Sequence, residues 1–382
     1  MKSQYLKTFL ILALVLVSFE IVKIKRQFSS FKNSTTRKLK KYRILEGNNR
    51  FLLNKIQFNK FDLPKELKKI PFANDDVILN IKDIEIRNAY APYNSSLIEL
   101  GNRYFFCFRY DVVTHMYPNK FNTFIGCAEL DKNFEQTEKE FFTLETATKT
   151  AEDPRILKLG EELFLIYNDL FSKKSQNRGM YIGKLDSEQG QLNSIQKMDA
   201  QPQTTEKNWV PFVHNSSICF EYQLFAPRKI LKIDNLDQLN QISSLPDVKD
   251  QLKEIPWKKK WGMPRGGTTA RLIDGEYLAF FHSSFTDRNN VIWYVMGAYT
   301  FESTPPFQVT AVSTHPILFN GIYNSQWKCT AQPGKCVIFP AGYAIENRDG
   351  KTLLHLSCGE NDCATKIITI DKDALHQTLK KL

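Results

Sequence analysis

The sequence EDPRILKLGEELFLIYND at residues 152–169 decides the fold of this chain. It reads as a strand, a tight turn at Gly160 and a second apolar strand. The opening tetrapeptide sets two carboxylates, Glu152 and Asp153, beside a proline of fixed φ and Arg155, at the point where a strand begins. An all-β scaffold offers acid chemistry at its mouth with such an arrangement.

The same strand–turn–strand outline recurs along the chain. The copies lie at residues 94–111, 209–225, 268–283 and 336–358, with starts near 94, 153, 208, 268 and 336. The spacing of about 55 to 70 residues suits four-stranded blades with loops. Five units of that size predict a five-bladed all-β propeller.

Length and composition favour one large β domain. About 300 residues remain after an N-terminal segment, enough for one closed all-β architecture with a sizeable core. Aromatic residues make up 13% of the chain and favour strands. Residues 373–379 read as a short terminal helix that closes the ring.

The N-terminus forms a separate unit. We divide the chain into a tail at residues 1–7, a hydrophobic signal or anchor segment at 8–22, a basic stem at 23–75 and the propeller at 76–382. The apolar run is short for a spanning helix, yet no small-x-small cleavage site follows it. We therefore predict an uncleaved, single-pass membrane anchor, with a cleaved signal and secretion as the alternative.

Charge distribution bears on topology and partners. The formal net charge of +11 is concentrated between Lys23 and Lys69, which predicts a stem lying against anionic headgroups. The positive-inside rule would leave the C-terminal part in the cytoplasm, so the sequence leaves the topology open. Nucleic acid is not expected as a partner, because no zinc spacing, RNP motif or basic recognition helix is present.

Five short segments in the expected order resemble the blade markers of glycoside hydrolase family 130. They are YNSSLI at 93–98, EDPR at 152–155, EKNW at 206–209, RGGT at 265–268 with FHS at 281–283, and VIFPAG at 337–342. That family comprises β-mannoside phosphorylases and some hydrolases on five-bladed propellers. The mannosyltransferase/phosphorylases of glycosyltransferase family 108 share the scaffold. The resemblance implies an oligosaccharide or glycan substrate, with inorganic phosphate or a sugar phosphate as co-substrate and no cofactor.

The resemblance assigns roles to particular residues. Asp153 matches the aspartic acid that protonates the departing oxygen in an inverting phosphorolysis. A turn carboxylate at the start of a blade is the alternative for Asp153. Glu152 would raise the pKa of Asp153 and Arg155 would lower it, so the sequence leaves the sign open.

Several cations fall at markers where the family binds phosphate. Lys207, Arg265 and His282 match these positions, and Arg109 and Arg155 are further candidates, since guanidinium groups bind oxyanions in bidentate fashion. The alternatives are salt-bridged arginines and a core histidine. The remaining candidates for substrate contact are Asn94, Asn208, Glu360 and Asp362.

Aromatic and sulfur-containing residues complete the set. Four aromatic residues are candidate sugar platforms, with interblade core as the alternative: Tyr93, Trp209, Trp293 and Tyr294. Two pairs of cysteines would close short loops in an oxidising compartment, Cys329 with Cys336 and Cys358 with Cys363. Cys107, Cys127 and Cys219 lie in apolar runs typical of buried thiols. No metal-ligand spacing is present, so metal independence is predicted.

Departures from the family pattern keep three functions open. The segment PRGGT at 264–268 replaces a proline-rich Gly-Pro-Pro-type segment, which bears on phosphate use and on linkage. The enzyme reading is an inverting phosphorylase or transferase. The alternatives are an inverting hydrolase, with Glu360 or Asp362 as base, and a non-catalytic glycan-binding propeller.

Overall fold

The computed structural model describes residues 63–89, 91–116, 119–138, 140–172, 177–199, 205–225, 227–245, 255–325 and 335–382. The predicted tail, the hydrophobic segment at 8–22, most of the basic stem and Cys329 lie outside the described residues. Within them, no helix combines the length and the apolarity needed to cross a membrane.

The described chain is almost entirely β-structure. The first strand, β1, is Ile78–Ile84, and it is followed by three four-stranded antiparallel sheets. Sheet one contains β2 (Tyr93–Leu100), β3 (Arg103–Met116), β4 (Asn119–Leu130) and β5 (Phe142–Thr143). Sheet two contains β6 (Glu152–Leu159), β7 (Glu162–Ser172), β8 (Asn177–Asp186) and β9 (Gln191–Lys197). Sheet three contains β10 (Val210–His214), β11 (Ser217–Gln223), β12 (Lys229–Ile233) and β13 (Ile242–Ser244).

Two further sheets follow a single 3₁₀ turn at Lys259–Trp261. Sheet four is built from β14 (Arg265–Gly266), β15 (Arg271–Ile273), β16 (Glu276–Thr286), β17 (Ile292–Glu302), β18 (Val309–Ser313) and β19 (Lys335–Cys336). Sheet five contains β20 (Ile338–Arg348), β21 (Lys351–Glu360) and β22 (Ala364–Asp371). The chain ends with helix α1 (Lys372–Thr378) and β23 (Leu379–Lys381).

The fold is all-β and propeller-like, as predicted. The prediction of five four-stranded blades is wrong, because only four sheets of the described residues have four strands. Four sheets are four-stranded, whereas sheet four has seven strands. The inner edge of sheet four is split into β14 and β15, which both pair with β16. The backbone between them leaves β16, and the N–H of Ala270 donates to the carbonyl of Pro211 in sheet three at 2.9 Å. Distant segments add the parallel strand β19 and the terminal strand β23. Local strand patterning carries no signal for such additions.

Closure of the structure differs from the expectation. The predicted terminal helix is confirmed as α1, with Asp371 as its N-cap, accepting from the N–H groups of Asp373 and Ala374. The helix does not close the β domain, however. Strand β1, the first strand of the domain, does so by pairing antiparallel with β22 as the outermost strand of sheet five. A strand closes a sheet better than a helix because it satisfies the edge hydrogen bonds of β22.

The inner strands of neighbouring sheets are joined by side-chain hydrogen bonds. Ser96 Oγ accepts from the N–H of Ile156 at 3.1 Å, and Thr269 Oγ1 donates to the carbonyl of Ile156 at 2.9 Å. The approach is close enough to require glycine on sheet five, since a Cβ on Gly359 would lie 2.6 Å from the backbone nitrogen of Asn94. The starts of the inner strands are therefore held at fixed positions relative to one another.

The two inner strands β2 and β6 begin with the same irregularity. The register of β2 on β3 shifts between Tyr93 and Ser96, and that of β6 on β7 shifts between Glu152 and Arg155. Asn94 and Asp153 occupy these bulges in left-handed conformation, with φ of 46° and 54°. Asn and Asp tolerate this region better than other residues that carry a Cβ. Each bulge re-aims one polar side chain away from the pleat.

Residues just before β1 also belong to the core. Leu63, Leu67 and Ile70 are buried in the same apolar cluster as Trp261. The indole N–H of Trp261 donates to the carbonyl of Glu66 at 3.3 Å. Part of the sequence assigned to the stem therefore packs on the β domain.

We expect the closing strand to contribute to stability through its buried face. Ile84 is buried against sheet one, whereas Leu79 on the same strand is exposed. Ile84→Ala should lower the free energy of unfolding by about 2 to 4 kcal/mol, and the control Leu79→Ala by at most about 0.5 kcal/mol. Urea denaturation measures both, and equal stability of the two variants would contradict a closing role for β1.

Candidate active site

Asp153 lies at the start of inner strand β6 and is only 6% exposed. Its Oδ1 accepts a hydrogen bond from Asn94 Nδ2 of sheet one at 2.8 Å. Arg109, from strand β3, brings Nη1 to 3.7 Å from the same oxygen. The bulges at Asn94 and Asp153 thus bring together an amide, an arginine and a carboxylate from two sheets.

Glu152, the neighbour of Asp153, carries most of the ion pairs at this end. Its carboxylate lies 3.2 Å from Arg109 Nη2 and 2.9 Å from Lys207 Nζ, and it also pairs with Arg178. Arg178 is fixed further by two hydrogen bonds to the carbonyl of Thr150, at 2.9 and 3.0 Å. The three cations come from β3, β8 and the segment before β10. One carboxylate therefore ties sheets one, two and three together.

The cations determine the charge of Asp153 in the free protein. Burial raises the pKa of Asp153, but Arg109, Lys207 and Arg155, with the hydrogen bond from Asn94, together bring the pKa below its ordinary value. The sign that the sequence left open is therefore negative. In the absence of a ligand, Asp153 is a carboxylate at neutral pH.

Arg109 is part of a second set of contacts. Its guanidinium lies 4.8 Å above the ring of Tyr93, and its Nε is 3.7 Å from Asp111 Oδ1. The Tyr93 hydroxyl donates to Asp111 Oδ2 at 2.8 Å. Tyr93, a predicted sugar platform, thus lies in the site beneath Arg109.

Arg155 is placed differently from the other cations, because it is fully buried. Its Nε donates to the carbonyl of Gly267 at 2.6 Å, and its Nη1 donates to the carbonyl of Asp153 at 3.2 Å. Asn208 Oδ1 lies 3.5 Å from Nη2. Burial lowers the pKa of Arg155 to about 10, although Asp153 raises it. Arg155 and Asn208 connect the inner strands of sheets two, three and four.

Arg265 and His282 form a neighbouring group on sheet four, where β14 and β16 pair them directly. Arg265 is exposed, donates to Ser284 Oγ at 2.8 Å and lies 5.7 Å above the ring of Tyr294. His282 is buried and stacks on Tyr294 at 5.9 Å. Burial, Arg265 and Arg155 lower the pKa of His282 well below its ordinary value, so its imidazole is neutral at neutral pH.

The two carboxylates of the last sheet behave differently. Glu360 is fully buried and accepts from the N–H groups of Tyr323 at 2.6 Å and Ser325 at 2.9 Å. Asp362 is only partly buried, in left-handed conformation. Burial raises the pKa of Asp362, while Arg109 lowers it. Of the two, Asp362 is the one that faces the Arg109 region.

Two of the predicted platforms lie in the packed interior. Trp209 is buried against Phe220 and donates to Glu206 at 3.1 Å, and Trp293 is buried and donates to Asp287 at 3.1 Å. Their indoles therefore contribute core packing, whereas Tyr93 and Tyr294 contact the site cations.

A cavity of about 310 Å³ lies farther along the same inner strands. Its lining includes Ile156, Thr269, Arg271 and Tyr343. The charge of Arg271 is already paired with Glu99 at 2.7 Å. The carboxylates and cations described above do not line this cavity, so it is not the candidate active site.

Several buried polar atoms at this end of the β domain have no hydrogen-bond partner among the described residues. Across the part of the chain that the structure describes, five buried atoms at this end have no hydrogen-bond partner: Asn94 Oδ1, Arg109 Nε, Asp111 Oδ1, Asn168 Oδ1 and His282 Nδ1. Buried polar groups in native proteins are normally paired. A polar ligand rich in hydroxyl or oxyanion groups would supply the missing partners.

Sequence reasoning missed two contributors and the central role of a third. Sequence patterns do not single out Arg178 or Asp111, and they indicate Glu152 only as one of a carboxylate pair and as a like charge beside Asp153. The available signal is a charged residue in an otherwise largely apolar strand, near the start of β8 for Arg178 and within β3 for Asp111. The described residues contain no group of three or more His, Cys, Asp or Glu that could hold a metal ion.

Comparison with solved structures identifies the fold. A putative glycoside hydrolase from Parabacteroides distasonis superposes with a TM-score of 0.53 at 13% identity, covering 74% of this chain and 87% of its own. The β-1,2-mannobiose phosphorylase from Listeria innocua gives 0.52 at 14% identity, covering 84% and 98%. The mannose phosphorylase MPT-4 from Leishmania mexicana, solved with a phosphate ion, gives 0.50 at 14% identity, covering 79% and 91%. A sequence search of curated proteins finds no match.

The family model described as beta-1,4-mannooligosaccharide phosphorylase matches residues 64–381. The chain therefore belongs to glycoside hydrolase family 130 and is an enzyme that acts on glycosidic bonds.

We expect Glu152 to stabilise the junction of the three sheets. Glu152→Gln leaves Arg109, Arg178 and Lys207 close together without their shared carboxylate, and should cost about 3 kcal/mol at neutral pH. Arg109 and Lys207 hold the pKa of Glu152 below its ordinary value despite burial. The stabilisation is therefore present above the ordinary pKa and is lost as pH falls through the folded-state pKa.

The stability difference between wild type and Glu152→Gln should accordingly shrink on acidification. Urea denaturation at neutral pH and at about pH 3, below the ordinary carboxyl pKa, measures it. Glu162→Gln is the control, since Glu162 is half exposed and pairs only with Lys184 at 2.8 Å. A cost as small as that of the control would contradict the role assigned to Glu152.

Proposed function

We propose that this enzyme cleaves and forms β-mannosidic bonds by inverting phosphorolysis, with Asp153 as the acid and phosphate as the nucleophile. The single observation that carries the proposal is the buried Asp153 carboxylate beside Arg109 and Lys207, within a site whose buried polar atoms lack partners. Family membership supports the substrate class. A module that only binds glycans has no need for an acid beside a cluster of cations.

The proposed proton movements follow from the charge of Asp153. In phosphorolysis, a phosphate oxygen attacks the anomeric carbon while the glycosidic bond breaks and the departing oxygen takes a proton that Asp153 supplies, directly or through a sugar hydroxyl. In synthesis, the Asp153 carboxylate receives the proton of the acceptor hydroxyl. The lowered pKa of Asp153 leaves the free protein ready for synthesis. Transfer from a sugar phosphate is therefore the direction we favour.

The phosphate site is proposed on two groups of residues. Lys207 and Arg109 flank Glu152 and Asp153 of sheet two. On sheet four, Arg265 extends the positive region, and His282 lies beside it. Arg265 is exposed and Lys207 is partly exposed, so both can reach a ligand, whereas Arg155 acts through the backbone around it. Neutral His282 donates or accepts one hydrogen bond without adding charge.

The cellular location of the enzyme is proposed from its N-terminal sequence. We propose that residues 8–22 anchor the enzyme in a membrane and that residues 23–62 connect the anchor to the β domain. An anchored enzyme fits assembly of a glycan better than scavenging of free oligosaccharides, which agrees with the synthetic direction. A glycosyltransferase activity of the family 108 type is part of the same proposal.

Asp153→Asn should lower turnover by about 10² to 10⁴ in both directions, because the amide cannot exchange a proton at the glycosidic oxygen. The measurement is phosphate release from mannose 1-phosphate with manno-oligosaccharide acceptors, and mannose 1-phosphate formation in reverse. Asp186→Asn, on strand β8 away from the site cations, is the control. If free mannose is the product, whether or not phosphate is present, the reaction is hydrolysis and not phosphorolysis. Glycan binding without turnover in the wild type would leave a lectin-like propeller.

Lys207→Gln should raise KM for phosphate roughly tenfold or more, with a smaller change in KM for the oligosaccharide. The loss of one charge-assisted contact to an oxyanion accounts for this change. Lys184→Gln is the matched control, since Lys184 is partly exposed to a similar degree as Lys207 and pairs with Glu162 instead of Glu152. Equal changes in both KM values would indicate that Lys207 acts only by holding Glu152.

Phosphate should change the pH profile of phosphorolysis. The activity falls as pH rises through the pKa of Asp153, and this pKa is depressed by Arg109 and Lys207 in the free protein. Bound phosphate offsets those cations, so the falling limb at saturating phosphate should lie at higher pH than at low phosphate. The profile of kcat/KM for the oligosaccharide at two phosphate concentrations and constant ionic strength measures this. Coincident limbs would contradict phosphate binding beside Arg109 and Lys207.

A further inference from the structure

Two cysteines of sheet one lie directly opposite each other. Cys107 on β3 pairs with Cys127 on β4 in the antiparallel register. Both side chains are fully buried free thiols in the structure, and their sulfur atoms are 2.7 Å apart. Two sulfur atoms that are not bonded to each other do not pack this closely.

The surroundings exclude other roles for this pair. Both cysteines belong to an apolar cluster with Phe105, Ile125 and Leu165. Burial raises the pKa of the Cys127 thiol well above its ordinary value, which disfavours a nucleophilic or metal-binding thiolate. Among the described residues, no third ligand is grouped with them for a metal ion. Bond formation between the two sulfurs is the chemistry that remains.

Other buried cysteines of the described chain lack this arrangement. Cys219 pairs in register with Phe212 and Lys232 rather than with a cysteine. The Cys358 thiol points to Met296 Sδ, 3.9 Å away. The short-loop pairing expected for Cys358 is thus not formed.

We propose that Cys107 and Cys127 form a disulfide in the mature protein. The two thiols lose two protons and two electrons to a second disulfide, such as an oxidised dithiol protein or glutathione disulfide, which is reduced to two thiols. The exchange proceeds through a mixed disulfide and takes place during folding, before the apolar cluster closes over the sulfurs.

The bond has a consequence for the active site. Cys107 lies two residues before Arg109 on β3, and Arg109 contacts both Glu152 and Asp153. A covalent link from β3 to β4 holds the strand that carries Arg109 and Asp111 in one register. The bond therefore positions the residues that set the charge state of Asp153.

The bond also bears on the compartment. Disulfides form and persist where the environment is oxidising, and they are rare in the cytosol. A Cys107–Cys127 disulfide indicates that the β domain folds in an oxidising compartment, on the opposite side of the membrane from the one that the positive charges of the stem favour. This conclusion is independent of the reaction proposed above.

The test uses the full chain, with its own N-terminal segment, purified without reductant from cells that produce it. The protein is unfolded in guanidinium, alkylated with iodoacetamide, then reduced and labelled with N-ethylmaleimide before peptide mass spectrometry. We expect N-ethylmaleimide on Cys107 and Cys127 and iodoacetamide on Cys219 and Cys358. Iodoacetamide on Cys107 and Cys127 would overturn the proposal.

Thermal unfolding provides a second, independent measurement. Dithiothreitol should lower the Tm of the wild type and of the control Cys219→Ala by the same amount. The double variant Cys107→Ala, Cys127→Ala should have a lower Tm that dithiothreitol does not change. A wild-type Tm that is insensitive to dithiothreitol would also overturn the proposal.

Discussion

The site depends on the ion pairs that the carboxylate of Glu152 forms with three cations. Three cations converge on this one side chain: Arg109 from β3, Arg178 from β8 and Lys207 from the segment before β10. Each of these cations would otherwise repel the others, so their common position requires a buried negative charge among them. The enzyme thus keeps a dense positive region beside Asp153 without leaving any of these cations unpaired in the free state.

Backbone geometry at the starts of the inner strands directs the chemistry. The left-handed bulges at Asn94 and Asp153 turn one polar side chain on each strand toward the other. Arg155 holds this arrangement from below through carbonyl groups of Asp153 and Gly267. The strands therefore fix the Asp153 carboxyl group, while the exposed Arg265 and the partly exposed Lys207 remain accessible to a ligand.

The cations around Asp153 set its charge in the free protein. With the cations unoccupied, the pKa of Asp153 is below its ordinary value and the group is a base. In the proposed reaction, an anionic co-substrate would supply the negative charge that allows the same group to hold a proton. Under that proposal one carboxyl group serves both directions of a reversible glycosyl transfer, because the co-substrate sets its protonation state.

The sequence by itself determined the all-β class, the strand–turn–strand repeats and the placement of Asp153 at the start of an inner strand, because alternation and turn residues act over a few neighbouring positions. Tertiary structure decided the rest. Strand β1 pairs with β22 far along the chain, sheet four gains strands from distant segments, and Trp209 and Trp293 pack in the core. The sign of the Asp153 pKa shift also depends on Arg109 and Lys207, which only folding brings close. Long-range pairing and electrostatics follow from distances in space, and local sequence patterns do not contain those distances.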